Sequence, residues 1–284
     1  MKIYMAMPSS KKFFSQMKEL EMEHLLISFA FFKSFAKFES DSQGYYSKDL
    51  ILDSGAFSVW SRGETIDIDK YATFCKDIIS NIPDTTSVNC VNLDVLPGKF
   101  GVRPTDADRD NSAQAGWDNM LYLESLQLKV IPVFHQHERF EWLEKMMAHT
   151  DYIGISPAND VSMKEKLAWL DKCFSITQDK IKTHGFAVTA YDQLVRYPFY
   201  SVDSSSWSSG GRYGRIPIYI EGKVQSFNYK NKKDIIKYWS KLPAEYVEIF
   251  KTYHDRNYIG IMAYKQFEQF ITQLWESRGV TWTK

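Results

Sequence analysis

Short apolar runs alternate with amphipathic helical stretches along most of the chain, and this alternation constrains the fold more than any single motif does. The runs are KIYMAM (2–7), DLILDSG (49–55), SVNCVNLD (87–94), KVIPVFHQ (129–136), YIGISP (152–157), THGFAVTA (183–190) and FYSVDSS (199–205). Between them lie KKFFSQMKELEMEHLL, DIDKYATFCKDII, SAQAGWDNMLYLESL, RFEWLEKMMAH and MKEKLAWLDKCF, each with apolar residues at helical spacing. Strand followed by helix, repeated, calls for parallel strands joined by crossover helices. Seven such runs, with IPIYI (216–220) as the candidate eighth, predict a closed (β/α)8 barrel rather than an open sheet. The 284 residues suit one such barrel, which takes about 250. Residues 1–229 are expected to form the barrel core, with a loop and hairpin over 204–229. Residues 230–284 read as helices (DIIKYWSKL, AYKQFEQFITQLWES) packed on the same domain.

Composition narrows the setting. Lysine plus arginine equals aspartate plus glutamate at 35 each, so no global field advertises a polyanionic partner, while a local basic patch is still allowed. The three cysteines, Cys75, Cys90 and Cys173, are far apart and form no CxxC pair, which argues against a disulfide framework and a structural zinc. The opening MKIYMAMPSS lacks the apolar core of a signal peptide, and no run approaches a membrane span. A cytoplasmic protein with no membrane partner is the expectation.

The stretch LILDSGAF (50–57) runs from a strand that reads as fully buried straight into Asp53 and a tight turn. An unpaired buried carboxylate is costly or shifts its pKa upward, so such an ending marks a site rather than a stabilising feature. Asp94, His135, Gln136, Ser156, Thr189 and Asp203 likewise fall at or just past strand ends, where barrel enzymes carry their chemistry. A lone aspartate there is commonly a helix cap or an Asx-turn; three after apolar strands describe one mouth lined with carboxylates. Two carboxylates across a pocket can serve as nucleophile and general acid/base at a sugar carbon. That inference reaches only as far as a hydrolase, a lyase or a glycosyl transferase.

LDSGAF, VNLDVLPG with PTDADRDNSAQAGW, VFHQ, YIGIS, THGFAVT and YPFYSVDSSSWSSGGRYG occur in an order that resembles the tRNA-guanine transglycosylase superfamily. Within it the chain looks most like the short, phage-type enzymes that exchange guanine in DNA for a 7-deazaguanine. Ala56 stands where that family has a second glycine. The resemblance implies that Asp203 is the nucleophile, forming a covalent glycosyl-enzyme as guanine leaves, and that Asp53 is the general acid/base. It implies that Asp94 and Gln136 hydrogen-bond the purine edge, with Ser54, His135 and His184 in the base pocket. Gly154 would give close backbone access, and Phe57 would stack on the base, a contact worth about 1 to 3 kcal/mol. No metal or redox cofactor is implied. The implied partners are DNA, single-stranded or with its guanine flipped out, and a 7-deazaguanine base similar to preQ0. The neutral chain also leaves room for a partner protein, and the setting would be a host cytoplasm.

Members of that family acting on tRNA hold a zinc in a C-terminal insertion, and no cysteine follows Cys173 here. This departure favours DNA over tRNA, which stays as the alternative substrate. In place of the insertion stands SSSWSSGGRYGRIPIYIEGKVQSFNYKNKKD, whose Trp207, Arg212, Tyr213 and Arg215, with Lys230, Lys232 and Lys233, interleave aromatic and basic side chains as a splayed single strand requires. A solvated hairpin with ordinary charges is the plain reading of the same residues. A different chemistry is offered by His135 and His137, which with an aspartate and His184 suggest a metal-dependent barrel hydrolase. A non-catalytic binder is the third class, and retention of both Asp53 and Asp203 speaks against it. His24, His149 and His254 fall within helical stretches and read as packing or surface residues, and Trp60, Trp117, Trp142 and Trp169 read as core or helix-face packing.

Overall fold

A computed structural model of the protein describes residues 1–6, 10–136, 138–178, 180–228, 230–242, 244, 246–247 and 256–282. Nine parallel strands form one sheet: β1 Lys2–Ala6, β2 His24–Ser28, β3 Asp49–Asp53, β4 Ser87–Val91, β5 Val130–Ile131, β6 Val133–His135, β7 Tyr152–Ser156, β8 Lys182–Gly185 and β9 Ser201–Ser204. Their order is β5-β4-β3-β2-β1-β9-β8-β7-β6. The two outer strands, β5 and β6, flank the single residue Pro132, so the ends of the sheet are adjoining halves of one stretch of chain. Proline has no N–H to give a ladder and divides this stave in two. The result is an eight-staved α/β barrel, as the alternation predicted.

One stave differs from the expectation. The segment IPIYI pairs antiparallel with KVQSF (Lys223–Phe227) in a separate hairpin, turning at Glu221 and Gly222. The missing stave is β2, HLLIS, whose five residues are all buried. It had read as the end of the helix that precedes it. The actual helix stops at Glu19, and His24 opens a strand.

Strand side chains alternate between the two faces of the sheet, so the register separates barrel interior from barrel exterior. Ile3, Met5, Leu25, Ile27, Leu50, Leu52, Phe134, Ile153, Ile155 and Val202 face outward and are buried against the helices. Tyr4, Leu26, Ile51, Val91, Ile131, Val133 and Tyr152 fill the interior. The neighbouring pairs Ser28 and Asp53, His135 and Ser156, and Tyr4 and Asp203 fix which residues top the staves.

The helices have local reasons for their limits. Asp106–Ser125 and Met163–Thr177 each begin with a capping box, Thr105 with Asp108 and Ser162 with Glu165, and Ile68–Asn81 begins on Asp67. Tyr71 on the last of these helices is buried, its hydroxyl 2.9 Å from Leu52 O and 2.7 Å from Val91 O, which ties together the upper ends of β3 and β4.

The lower end of the barrel is closed by charge. Lys2 Nζ lies 2.8 Å from Asp49 Oδ2, His24 Nε2 3.4 Å from the same oxygen, and His24 Nδ1 2.9 Å from Glu268 Oε1. Glu268 belongs to the long helix Arg256–Ser277, which packs along the barrel and also receives the chain start, Thr272 Oγ1 donating to Met1 O at 2.9 Å. His24 is therefore a paired residue of the barrel floor rather than a helix-surface residue. No helix among the described residues is long and apolar enough to cross a membrane.

Candidate active site

Asp53 ends β3, and the turn after it is set by Gly55 at φ +76°. A Cβ on Gly55 would stand 2.5 Å from Ala30 Cβ and 2.6 Å from Ser28 Oγ, so both the backbone conformation and the close approach of the neighbouring stave require glycine. This explains why the strand runs straight into Ser54-Gly55. The carboxyl of Asp53 is pushed up to about 6: burial raises it most, Ser28 and the Gly55 N–H act in the opposite direction, and the charges of Asp203 and Asp94 add to the rise. Ser28 Oγ, buried beside it, completes no hydrogen bond of full geometry among the described residues.

Asp94 lies just past β4 and is held from two sides. Asn92 Nδ2 donates to its Oδ1 at 3.1 Å and also to Gly116 O at 2.9 Å. His135 Nε2 lies 3.1 Å from Asp94 Oδ2. Burial works against a charged His135, yet Asp94 outweighs it and Glu138 adds, lifting the imidazole to about 9, so it is an imidazolium at neutral pH. Glu138 in turn accepts the His135 backbone N–H at 3.0 Å, and burial raises its own carboxyl. Gln136 Oε1 accepts Ala158 N–H at 3.0 Å, which orients the amide and leaves its NH2 as donor.

Asp203 tops β9. Its Oδ1 accepts Ala187 N–H at 2.8 Å, and Oδ2 makes no hydrogen bond among the described residues. Ala187 adopts φ +53°, a conformation costing a non-glycine residue about 1 kcal/mol or more, and this turn aims its N–H at the carboxylate. Beneath Asp203 lies His184, fully buried, with Nδ1 2.6 Å from Ser201 Oγ. Ser201 Oγ is in turn 2.5 Å from Tyr152 OH. His184 Nε2 stands 3.6 Å from Asp203 Oδ1, beyond hydrogen-bond distance, and makes no hydrogen bond among the described residues.

Asp53, Asp94, His135, Gln136 and Asp203 thus gather at one barrel mouth, as expected from their strand-end positions. Other expectations change. His184 is enclosed within the barrel, out of reach of a base. Ser54 is buried with its hydroxyl donating to Asn92 O at 3.2 Å, so it joins β3 to the chain after β4 instead of facing a pocket. The space a Cβ would take on Gly154 is filled by the ring of Phe186, 2.5 Å away at Cε2, so the close approach there is made by a side chain of the protein. Trp207 is fully buried, donates from Nε1 to Ala6 O at 3.0 Å and meets Phe13 edge-on at 5.2 Å, which removes it from any nucleic-acid surface. Its polar neighbours in sequence, Ser204–Ser206 and Ser208–Ser209, misled because a tryptophan in a polar loop looks the same whether it points out or in.

Phe57, Tyr213 and Arg215 are exposed, as a binding role requires. The side chain of Arg212 and all of His137 and His254 lie outside the described residues. Among those described, no three His, Cys, Asp or Glu side chains are grouped as a metal ion would need, and His135 is taken up by Asp94. Sequence reasoning missed Ser28, Asn92, Glu138 and Phe186. Only Phe186 had a readable signal, its place one residue beyond the buried strand β8.

No protein-family model matches the chain, and no curated protein is similar to it.

Proposed function

We propose that the protein is a base-exchange glycosyltransferase that replaces guanine in DNA with a 7-deazaguanine through a covalent glycosyl-enzyme. The observation that carries this reading is the division of roles between two carboxylates at one mouth. Asp53 is raised to about 6 by burial and by Asp203 and Asp94, a value suited to giving and taking a proton near neutrality, while Asp203 Oδ2 is free of hydrogen bonds among the described residues. The resemblance in sequence order supports the same assignment.

In the first half-reaction Asp203 attacks the anomeric carbon, the bond from that carbon to guanine N9 breaks, and Asp53 supplies the proton the departing base takes up. In the second half-reaction Asp53 accepts the proton from the ring N–H of the incoming 7-deazaguanine, whose nitrogen attacks the same carbon and releases the Asp203 carboxylate. Atoms and charge balance without an external oxidant or reductant. Asp94, fixed by Asn92 and His135, accepts from the N–H groups of a guanine edge, and the Gln136 NH2 donates to its carbonyl. The Ala187 N–H, aimed by its strained turn, holds Asp203 Oδ1 in place.

The test is incubation with radiolabelled guanine and, separately, single-stranded DNA, duplex DNA and tRNA. Label entering DNA supports the reading; label entering tRNA alone moves the substrate to RNA; label in no polymer, repeated with a labelled 7-deazaguanine, overturns it.

A further inference from the structure

Residues 99–103 read Lys-Phe-Gly-Val-Arg and form a tight turn, Val102 N–H donating to Lys99 O at 3.1 Å. Phe100 is 57% exposed and Val102 63%, and Phe57 on the neighbouring helix Ala56–Trp60 is 50% exposed. Single exposed apolar residues are ordinary; here a cluster comes from two adjoining loops. The rings are joined to one another: Trp60 lies 6.0 Å from Phe57 and meets Phe100 edge-on at 5.4 Å. Trp60 Nε1 donates to Gly98 O at 3.1 Å, which fastens the turn to the helix. The aromatic face is held in position.

It carries two unpaired cations among the described residues: Lys99 and Arg103 are exposed, and neither has an ion-pair partner there. The next cation along the chain, Arg109, is paired, with Asp106 at 2.5 Å. The turn lies on the loop that leaves Asp94, and the helix is the one that Asp53 leads into, so this face adjoins the site. Two cations flank the apolar pair Phe100 and Val102, which sets positive charge on either side of an exposed ring, as a base between two phosphates requires.

We propose that the turn over residues 99–103, together with Phe57 and Trp60, is the docking surface for single-stranded DNA next to the target nucleotide. Phe100 stacks on a neighbouring base, and Lys99 and Arg103 pair with phosphates. This rests on the base-exchange reading for its choice of polymer. A base drawn into the barrel mouth leaves its neighbours unstacked, and an exposed ring beside the mouth takes the place of the lost stacking partner.

The experiment is fluorescence anisotropy of a labelled, guanine-containing single-stranded oligodeoxynucleotide over a range of salt, with the full chain and with Phe100→Ala, Phe100→Tyr and the double variant Lys99→Ala/Arg103→Ala. Phe100→Ala is expected to raise Kd about tenfold, the loss of one stacked base, and Phe100→Tyr to keep the native value. The double variant is expected to reduce the slope of log K against log salt by about 1.4, two phosphate contacts at about 0.7 each. Native Kd and slope in all variants, absence of binding by the native chain, or tighter binding of the same sequence as RNA would overturn the proposal. Binding that responds as expected in a protein that exchanges no base would retain the docking surface and remove the enzymatic reading. Exchange in Phe100→Ala with unaltered Kd would do the reverse.

Discussion

Replacing His24 with glutamine removes a charge that the barrel floor holds between two carboxylates, at 2.9 Å from Glu268 and 3.4 Å from Asp49. Burial lowers the imidazole's proton affinity, but the hydrogen bonds and charges of Asp49 and Glu268 prevail and lift it from 6.5 to about 9. A shift of that size corresponds to on the order of 3 kcal/mol of folding stability, at about 1.4 kcal/mol per pKa unit. Because the folded value is the higher one, the stabilisation is complete below pH 6.5, where both states carry the proton. It falls as pH rises and is gone above about 9, where neither does. Asp49 has the opposite sense. It is held down to about 2 by His24 and Lys2 against burial, so its contribution is present above the ordinary aspartate value and is lost as pH falls toward 2. The two shifts describe one network and are not summed.

The assay is thermal unfolding of the native chain and His24→Gln from pH 5.5 to 10. For a chain of this size about 3 kcal/mol amounts to roughly 6 °C, so the native advantage in Tm should be near that at pH 6 and close to zero by pH 10. A difference between the two proteins that stays constant over this range would refute the charged assignment, because a purely steric or packing role for His24 has no reason to titrate.

The rate of guanine release should carry the titration of Asp53. Since the proton donor must be protonated, kcat/KM for DNA is expected to be flat below pH 6 and to fall about tenfold per unit above it, with Asp53→Asn about 10²–10⁴-fold slower and lacking that limb. Gly55→Ala forces a Cβ against Ala30 and Ser28 at a positive φ. Its expected cost is about 2 kcal/mol, read as a drop of about 4 °C in Tm, with exchange activity lost beyond what the stability change accounts for because Asp53 shifts.

Much of the barrel was legible because its strands are short, apolar and each followed by a helix with a clear polar face, as in DLILD before Ile68–Asn81. The stave HLLIS was hidden because the preceding KELEME keeps helical spacing right up to it, and five residues buried on both faces show no period of their own. IPIYI carries a true strand signal; its partner was set by the two-residue turn after it, at Glu221 and Gly222 with φ +50° and +81°, the geometry of a tight antiparallel hairpin. At the mouth, strand-end position was enough to find Asp53, Asp94 and Asp203. It was not enough for His184 and Ser54, which share those positions in sequence and turn into the barrel or toward a neighbouring stave. The supports Asn92 and Glu138 carry no local pattern, since what selects them is their distance to Asp94 and His135 across separate strands.

Base exchange by this route requires a bond between Asp203 and the sugar. Denaturing the native chain during reaction with a single-stranded oligodeoxynucleotide, and weighing the protein, tests it directly. The expected product is a species heavier by the oligonucleotide less one guanine, attached at Asp203 and absent from Asp203→Asn. Base exchange at a measurable rate with no such species, or the same adduct formed by Asp203→Asn, would contradict it.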